Sequence, residues 1–287
     1  MEIVDAQVHA WERDIAAYPW HLDFGRADLD ARVREHFEAT TMPPERLLAS
    51  MDAAGVDAAV IVSPTLYGDD TRYAELAVAR DPARLAFVGL VDASSPSADD
   101  VLATWRTRPG ALAVRVSVYH DEAMTSLERG PLRTLLAAAE RHQVPVCVYA
   151  PGYLARLGGI AELFPELRLV IDHLGLAQPS PAFPTVEGDA FGELPLLLRL
   201  APYPNVAVKA TGLPSLSRTE YPFGDVWDPL RRVVDAFGCD RVMWGTDFTR
   251  VERASYREGV DYLRELDFSD SELELLYGAT LRRTFRW

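Results

Sequence analysis

The 287-residue chain is poor in several things that would each have pointed to a class of protein. No apolar run approaches the roughly 20 residues needed to cross a bilayer, which excludes a membrane-spanning helix. There are two cysteines, Cys147 and Cys239, in separate apolar contexts. That is too few for a disulfide scaffold, and two unpaired thiols are expected. Positive charge is scarce: 29 Lys and Arg face 43 Asp and Glu, a net charge of −14. Phosphate recognition needs clustered cations, so nucleic acid is excluded as a partner and an anionic membrane surface is disfavoured. A small anionic substrate stays open, because local cations can overcome the global field. The opening "MEIVDAQVH" has neither the basic start nor the long apolar core of a signal peptide, so a cytoplasmic location is expected. Low-complexity tracts and interdomain linkers are absent too.

What is present is an apolar content of 48%, enough for a large core, arranged in a regular alternation. Short β-branched runs at 3–9, 57–63, 84–91, 111–118, 144–150, 167–173, 205–210 and 241–247 read as strands. Between them lie helix-like stretches. "PPERLLASMDAAG" has Pro at its start and Gly55 at its end, which is helix punctuation. "GPLRTLLAAAERHQ" places Leu132, Leu135, Leu136 and Ala139 at a helical period. Eight strand–helix units in this length predict one (β/α)₈ barrel over residues 1–287. An open doubly wound sheet would want a Gly-rich phosphate turn after an early strand, and neither "VDAQVHAW" nor "IVSPTLYGDD" supplies one. Two connections are long, residues 10–42 and 174–189. Both follow the carboxyl ends of strands, the face on which barrel active sites are built, and loops this long are usually functional. Trp11, Tyr18, Trp20 and Phe24 in the first suggest an ordered cover over that face.

The polar residues near the strand ends form a candidate site. Strand one ends in Gln7 and His9, which alternation puts on one face. Strand four carries Arg115, strand six ends in Asp172 and His173, strand seven carries Lys209, and strand eight leads to Asp247. Two histidines and a carboxylate at a barrel mouth can do acid–base work or bind a metal. Each also has a plainer reading: a lone strand-end histidine is usually a hydrogen-bonded structural residue, and Asp247 suits a helix cap. Arg115 in "ALAVRVSV" and Lys209 in "NVAVKAT" are harder to dismiss, since a charge among apolar neighbours needs an anionic partner. His21, His36 and His142 read as loop or helix-surface residues, and His120 as a rim residue.

"DAQVHAW", "YPWHL", "AGVDAAVIV", "GALAVRVS", "LFPELRLVIDHLG", "NVAVKATGL" and "RVMWGTDF" occur in an order and spacing that resemble the amidohydrolase-related family, within it the group of small lactonases. The resemblance covers nearly the whole chain, and the pair "FPELRLVIDHLG" and "RVMWGTDF" is its most specific part. It implies a barrel of the amidohydrolase type. It also implies that Asp247 is the general base on the hydrolytic water, that His173 and His9 are the histidines after strands six and one, and that Arg115 contacts a substrate carboxylate. Gln7, Lys209, Tyr149 and Trp11 complete the expected substrate-binding set.

The departures bear on metal. Gln7 stands where the family's metal-binding members have the first histidine of the strand-one motif. Strand five, "VCVYAPGY", has Tyr149 and no imidazole, and Gly278-Ala279 replaces a Gly-Asn pattern near the C-terminus. A catalytic zinc wants three good protein ligands, and an amide oxygen is a poor one. The expectation is a metal-free lactone hydrolase acting on a polar or anionic lactone, with the carbonyl polarised by hydrogen-bond donors. The cofactor alternative is one weakly bound divalent metal at His9, His173 and Asp247. The functional alternatives are a decarboxylase or other ring-modifying enzyme on the same scaffold, and a non-catalytic small-molecule binding protein. Room is left for a homodimer.

Overall fold

The computed structural model describes residues 1–22, 27–179, 188–251 and 253–287. Eight strands occur in the expected order: β1 Val4–Val8, β2 Ala58–Val62, β3 Leu85–Gly89, β4 Ala111–Ser117, β5 Val146–Tyr149, β6 Leu169–Ile171, β7 Val206–Thr211 and β8 Val242–Gly245. Each pairs in parallel with the next. The ring is brought together between β8 and β1, where the Asp247 amide donates to the Gln7 carbonyl at 2.9 Å. This is a (β/α)₈ barrel. Its strands are buried on both faces, which is why they read as continuous apolar runs rather than alternating ones.

The core divides in two, as a barrel requires. Val60, Val62, Val88, Ala113, Cys147, Val170, Ala207 and Met243 form one apolar cluster with Leu281 and Phe285, residues of the helix Thr280–Phe285. The opposite residues of the same strands, among them Ile61, Phe87, Val116, Val148, Val208 and Trp244, pack with the helices in a larger cluster. Both predicted helices form, at Pro44–Ala54 and Pro131–Arg141. Gly55 takes the left-handed conformation (φ +73°) that ends the first of them.

Residues 10–42, read as a long loop, contain a helix, Ala27–Ala39. Its apolar stripe is one residue wide, Leu29, Val33 and Phe37 in an otherwise charged stretch, so the periodicity is faint in sequence. A two-way backbone bridge between Trp11 and Met42, at 3.0 and 2.9 Å, pins the base of this excursion. Trp20 donates to the Glu12 carbonyl, and Tyr18 packs edge-on to Tyr73. Phe24 lies outside the described residues, as do 180–187 of the stretch 174–189. Among the described residues no helix is long and apolar enough to cross a membrane, and Cys147 and Cys239 are unpaired and buried.

Candidate active site

At the carboxyl ends of the strands His9, His173, Gln7, Lys209, Arg115, Asp172 and Asp247 are all buried. A register slip in β1 between Asp5 and Val8 shapes the first part of the site. Asp5 turns toward the β8 seam and accepts from the Gln7 amide (3.0 Å), the Thr246 amide (2.9 Å) and the Thr246 hydroxyl. Gln7 instead reaches Lys209 and His173.

His9 and Asp247 make a pair, with Nε2 and Oδ1 3.1 Å apart. The other ring nitrogen, Nδ1, faces the Val62 carbonyl at 2.7 Å, and a carbonyl only accepts, so Nδ1 carries a proton. Asp247 has φ +53°, a left-handed conformation that costs a non-glycine residue energy and needs outside support. The support is its backbone N–H, which donates to the Gln7 carbonyl, and its carbonyl, which accepts from the Arg250 amide at 2.8 Å. Burial alone would push the Asp247 carboxyl up. Arg250, with Nη1 3.7 Å from Oδ2, and then His9 more than offset it and hold the group well below the usual carboxylate range.

His173 also has a left-handed backbone, followed by Leu174 and Gly175 in the same region. A Cβ at residue 175 would run into the Leu154 side chain, so this turn requires glycine. Burial pulls the His173 imidazole down to about 4, so it is neutral at pH 7. Its Nδ1 lies 2.8 Å from the Thr211 hydroxyl and its Nε2 lies 3.2 Å from the Gln7 amide nitrogen. Both nitrogens are engaged, and no proton is left on His173 to donate into the pocket.

Arg115 has the anionic partner its sequence setting demands, and that partner is Asp172: Nε to Oδ2 is 2.8 Å. Lys209 binds the other oxygen of the same carboxylate at 3.1 Å. Burial works to raise the Asp172 carboxyl, but Lys209 and Arg115 outweigh it and the group stays low. The Arg115 guanidinium also lies over the Tyr149 ring, 5.3 Å from its centroid. The Tyr149 hydroxyl accepts from the Gln178 amide at 3.1 Å, which leaves its own proton to give.

Of the expected residues, Trp11 stands apart. It is 1% exposed and donates its indole N–H to the Phe37 carbonyl, so it serves the packing of the excursion. His120 caps the helix Asp121–Arg129 and is exposed. Arg250 is a site residue that sequence reasoning missed, although its place three residues after Asp247 was a usable signal. Thr211 and Asp5 were missed as well, and neither carries a distinctive local pattern.

A model of the amidohydrolase family matches residues 4–287. An L-fucono-1,5-lactonase of Burkholderia ambifaria is 28% identical over 253 residues, 85% of this chain and 79% of that protein. A 4-sulfomuconolactone hydrolase of Hydrogenophaga intermedia is 28% identical over 210 residues, 72% of this chain and 65% of the relative. The crystal structure of an amidohydrolase from Burkholderia multivorans with bound zinc superposes with a TM-score of 0.79 at 22% identity, covering 100% of this chain and 99% of that one. His9 and Asp247 could turn lone pairs to a metal, but the Nε2 lone pair of His173 is taken by Gln7, and two ligands fall short of the usual three. Among the described residues no group of three or more His, Cys, Asp or Glu side chains could hold a metal ion. The resemblance carried by the strand-end motifs is thus matched along the full barrel, and the chain belongs to the amidohydrolase family.

Proposed function

We propose that the protein hydrolyses a small lactone, without a resident metal. The observation that carries this reading is the buried His9–Asp247 pair at 3.1 Å, with Arg250 behind the carboxylate, at the mouth of a barrel whose curated relatives are lactonases. In this reading Asp247 takes a proton from water as the oxygen attacks the lactone carbonyl. The tetrahedral oxyanion is met by the Arg115 guanidinium and the Tyr149 hydroxyl, donors not fully consumed by the protein. His173, whose two nitrogens are occupied, is not among these donors. When the intermediate collapses, the ring C–O bond breaks and the leaving alkoxide takes the proton back from the Asp247–His9 pair. Lactone and water become one open hydroxy acid.

A polar or anionic substrate suits Arg115 and Arg250, two arginines close enough to the Tyr149 hydroxyl to influence it. We also propose that the described parts of the two long connections, residues 10–22, 27–42, 174–179 and 188–189, border the barrel mouth and shape the pocket.

Acid release measured by pH-stat over a panel of sugar and unsaturated lactones tests the reaction. Turnover of at least one lactone is expected, with Asp247→Asn lowering kcat by about 10²–10⁴-fold. A variant that keeps more than about a tenth of wild-type kcat, against that expected loss, removes Asp247 as the base. Release of carbon dioxide from a carboxylated substrate, without lactone opening, would favour the decarboxylase alternative. Binding of lactones without turnover would favour the non-catalytic one.

A further inference from the structure

Of the 29 Lys and Arg residues in this chain, 28 are arginine, and Lys209 is the lone lysine. It is wholly buried inside the barrel. We propose that Lys209 is a positioning residue that closes the site to divalent metals, by fixing the direction of a hydrogen-bond chain through Gln7 into His173. The proposal rests on the metal-free reading above and names the residue responsible for it.

An ammonium can only donate. Lys209 Nζ lies 3.1 Å from Gln7 Oε1 and 3.1 Å from Asp172 Oδ1, with the Cys147 thiol beside it. The Gln7 amide must therefore turn its oxygen to the lysine and its NH₂ to His173. The orientation of an amide is often ambiguous, but here the cation decides it. His173 Nε2, 3.2 Å from that NH₂, has to accept. Its proton then sits on Nδ1, toward the Thr211 hydroxyl at 2.8 Å. The chain runs one way, from Lys209 through Gln7 and His173 to Thr211. It consumes the His173 lone pair that a metal would need as its third ligand.

A compact ammonium suits this task, because it can donate at once to Gln7 on β1 and to Asp172 just past β6. The chain also predicts that a histidine restored at position 7 gives only a weakened metal site while Lys209 is present. The lysine would donate to the new imidazole and occupy its lone pair in turn.

The test is uptake of Co²⁺, followed by titration calorimetry and by the visible absorption of the ion, in wild type, Gln7→His, Lys209→Met and the double variant. The double variant is expected to bind one Co²⁺ about 10–100-fold more tightly than Gln7→His, and wild type and Lys209→Met to bind none. Equal affinity in Gln7→His and the double variant, or no uptake by either, overturns the role of Lys209 while leaving the metal-free reading intact. Stoichiometric uptake by wild type overturns both. Should the lysine variants fail to fold, histidine ¹⁵N spectra of the wild type decide. The proposal requires the Nδ1–H tautomer at His173, and an Nε2–H tautomer there refutes it.

Discussion

At the scale of single residues, Asp247 presents a tension. A carboxylate held so far down is securely ionised, yet a base works best when its pKa lies near the working pH. Arg250 is the main cause of the depression. In the proposed reaction Asp247 acts in its ionised form, so activity is expected above its pKa and is lost as pH falls through it. Removing Arg250 lifts that pKa. Arg250→Met is therefore expected to shift the acid limb of the kcat/KM profile to higher pH, and a profile superimposable on wild type would mean that the arginine does not act on the base. That His9, His173 and Asp247 would lie together was legible in sequence because strand ends of a barrel converge. The direction of the Gln7 amide was not, because the lysine that decides it is 202 residues away on β7.

Among the elements, β1 carries the most constraint. Its register slip lets neighbouring residues serve different tasks: Asp5 closes the seam to β8 while Gln7 enters the pocket. The Asp5 carboxyl collects two amides and the Thr246 hydroxyl, and burial pushes it up to about 6. A carboxyl whose folded pKa is raised stabilises the fold below its unfolded pKa of about 4, and that contribution is lost as pH rises through about 6. Asn imitates the protonated form. Asp5→Asn is expected to gain stability relative to wild type between pH 4 and 7, whereas Asp5→Ala, which orphans several buried donors, should lose at least about 3 kcal/mol at either pH. Urea unfolding at the two pH values checks both, and a gap between wild type and Asp5→Asn that does not change with pH would contradict the buried-carboxyl account. The strands themselves were readable because burial on both faces writes continuous β-branched runs. The helix Ala27–Ala39 was not, because a stripe of one residue per turn in a charged stretch resembles a polar loop.

Over the whole molecule, the two ends of the barrel do different work. The carboxyl end holds the buried charges. Leu281 and Phe285 join the inner cluster with Val4 and Ala58, the first residues of β1 and β2, and so fill the opposite end. Phe285 is fully buried, so Phe285→Ala is expected to cost about 3–5 kcal/mol of stability. At temperatures where that variant stays folded, kcat and KM should match wild type. A loss of kcat without a loss of stability would show that the far end communicates with the site. The eightfold pattern was legible from the count of strand–helix units alone.

The solitary lysine has a practical consequence. An endoproteinase that cuts only after lysine finds one bond in the entire sequence, between Lys209 and Ala210, and that bond lies within the innermost wall of the barrel. Peripheral fraying or loop motion leaves it untouched. Cleavage into pieces of residues 1–209 and 210–287 is therefore a readout of global opening, and its rate against denaturant or temperature measures how often the barrel comes apart. By the same token, amine-directed labels and cross-linkers have no lysine to find on the native surface.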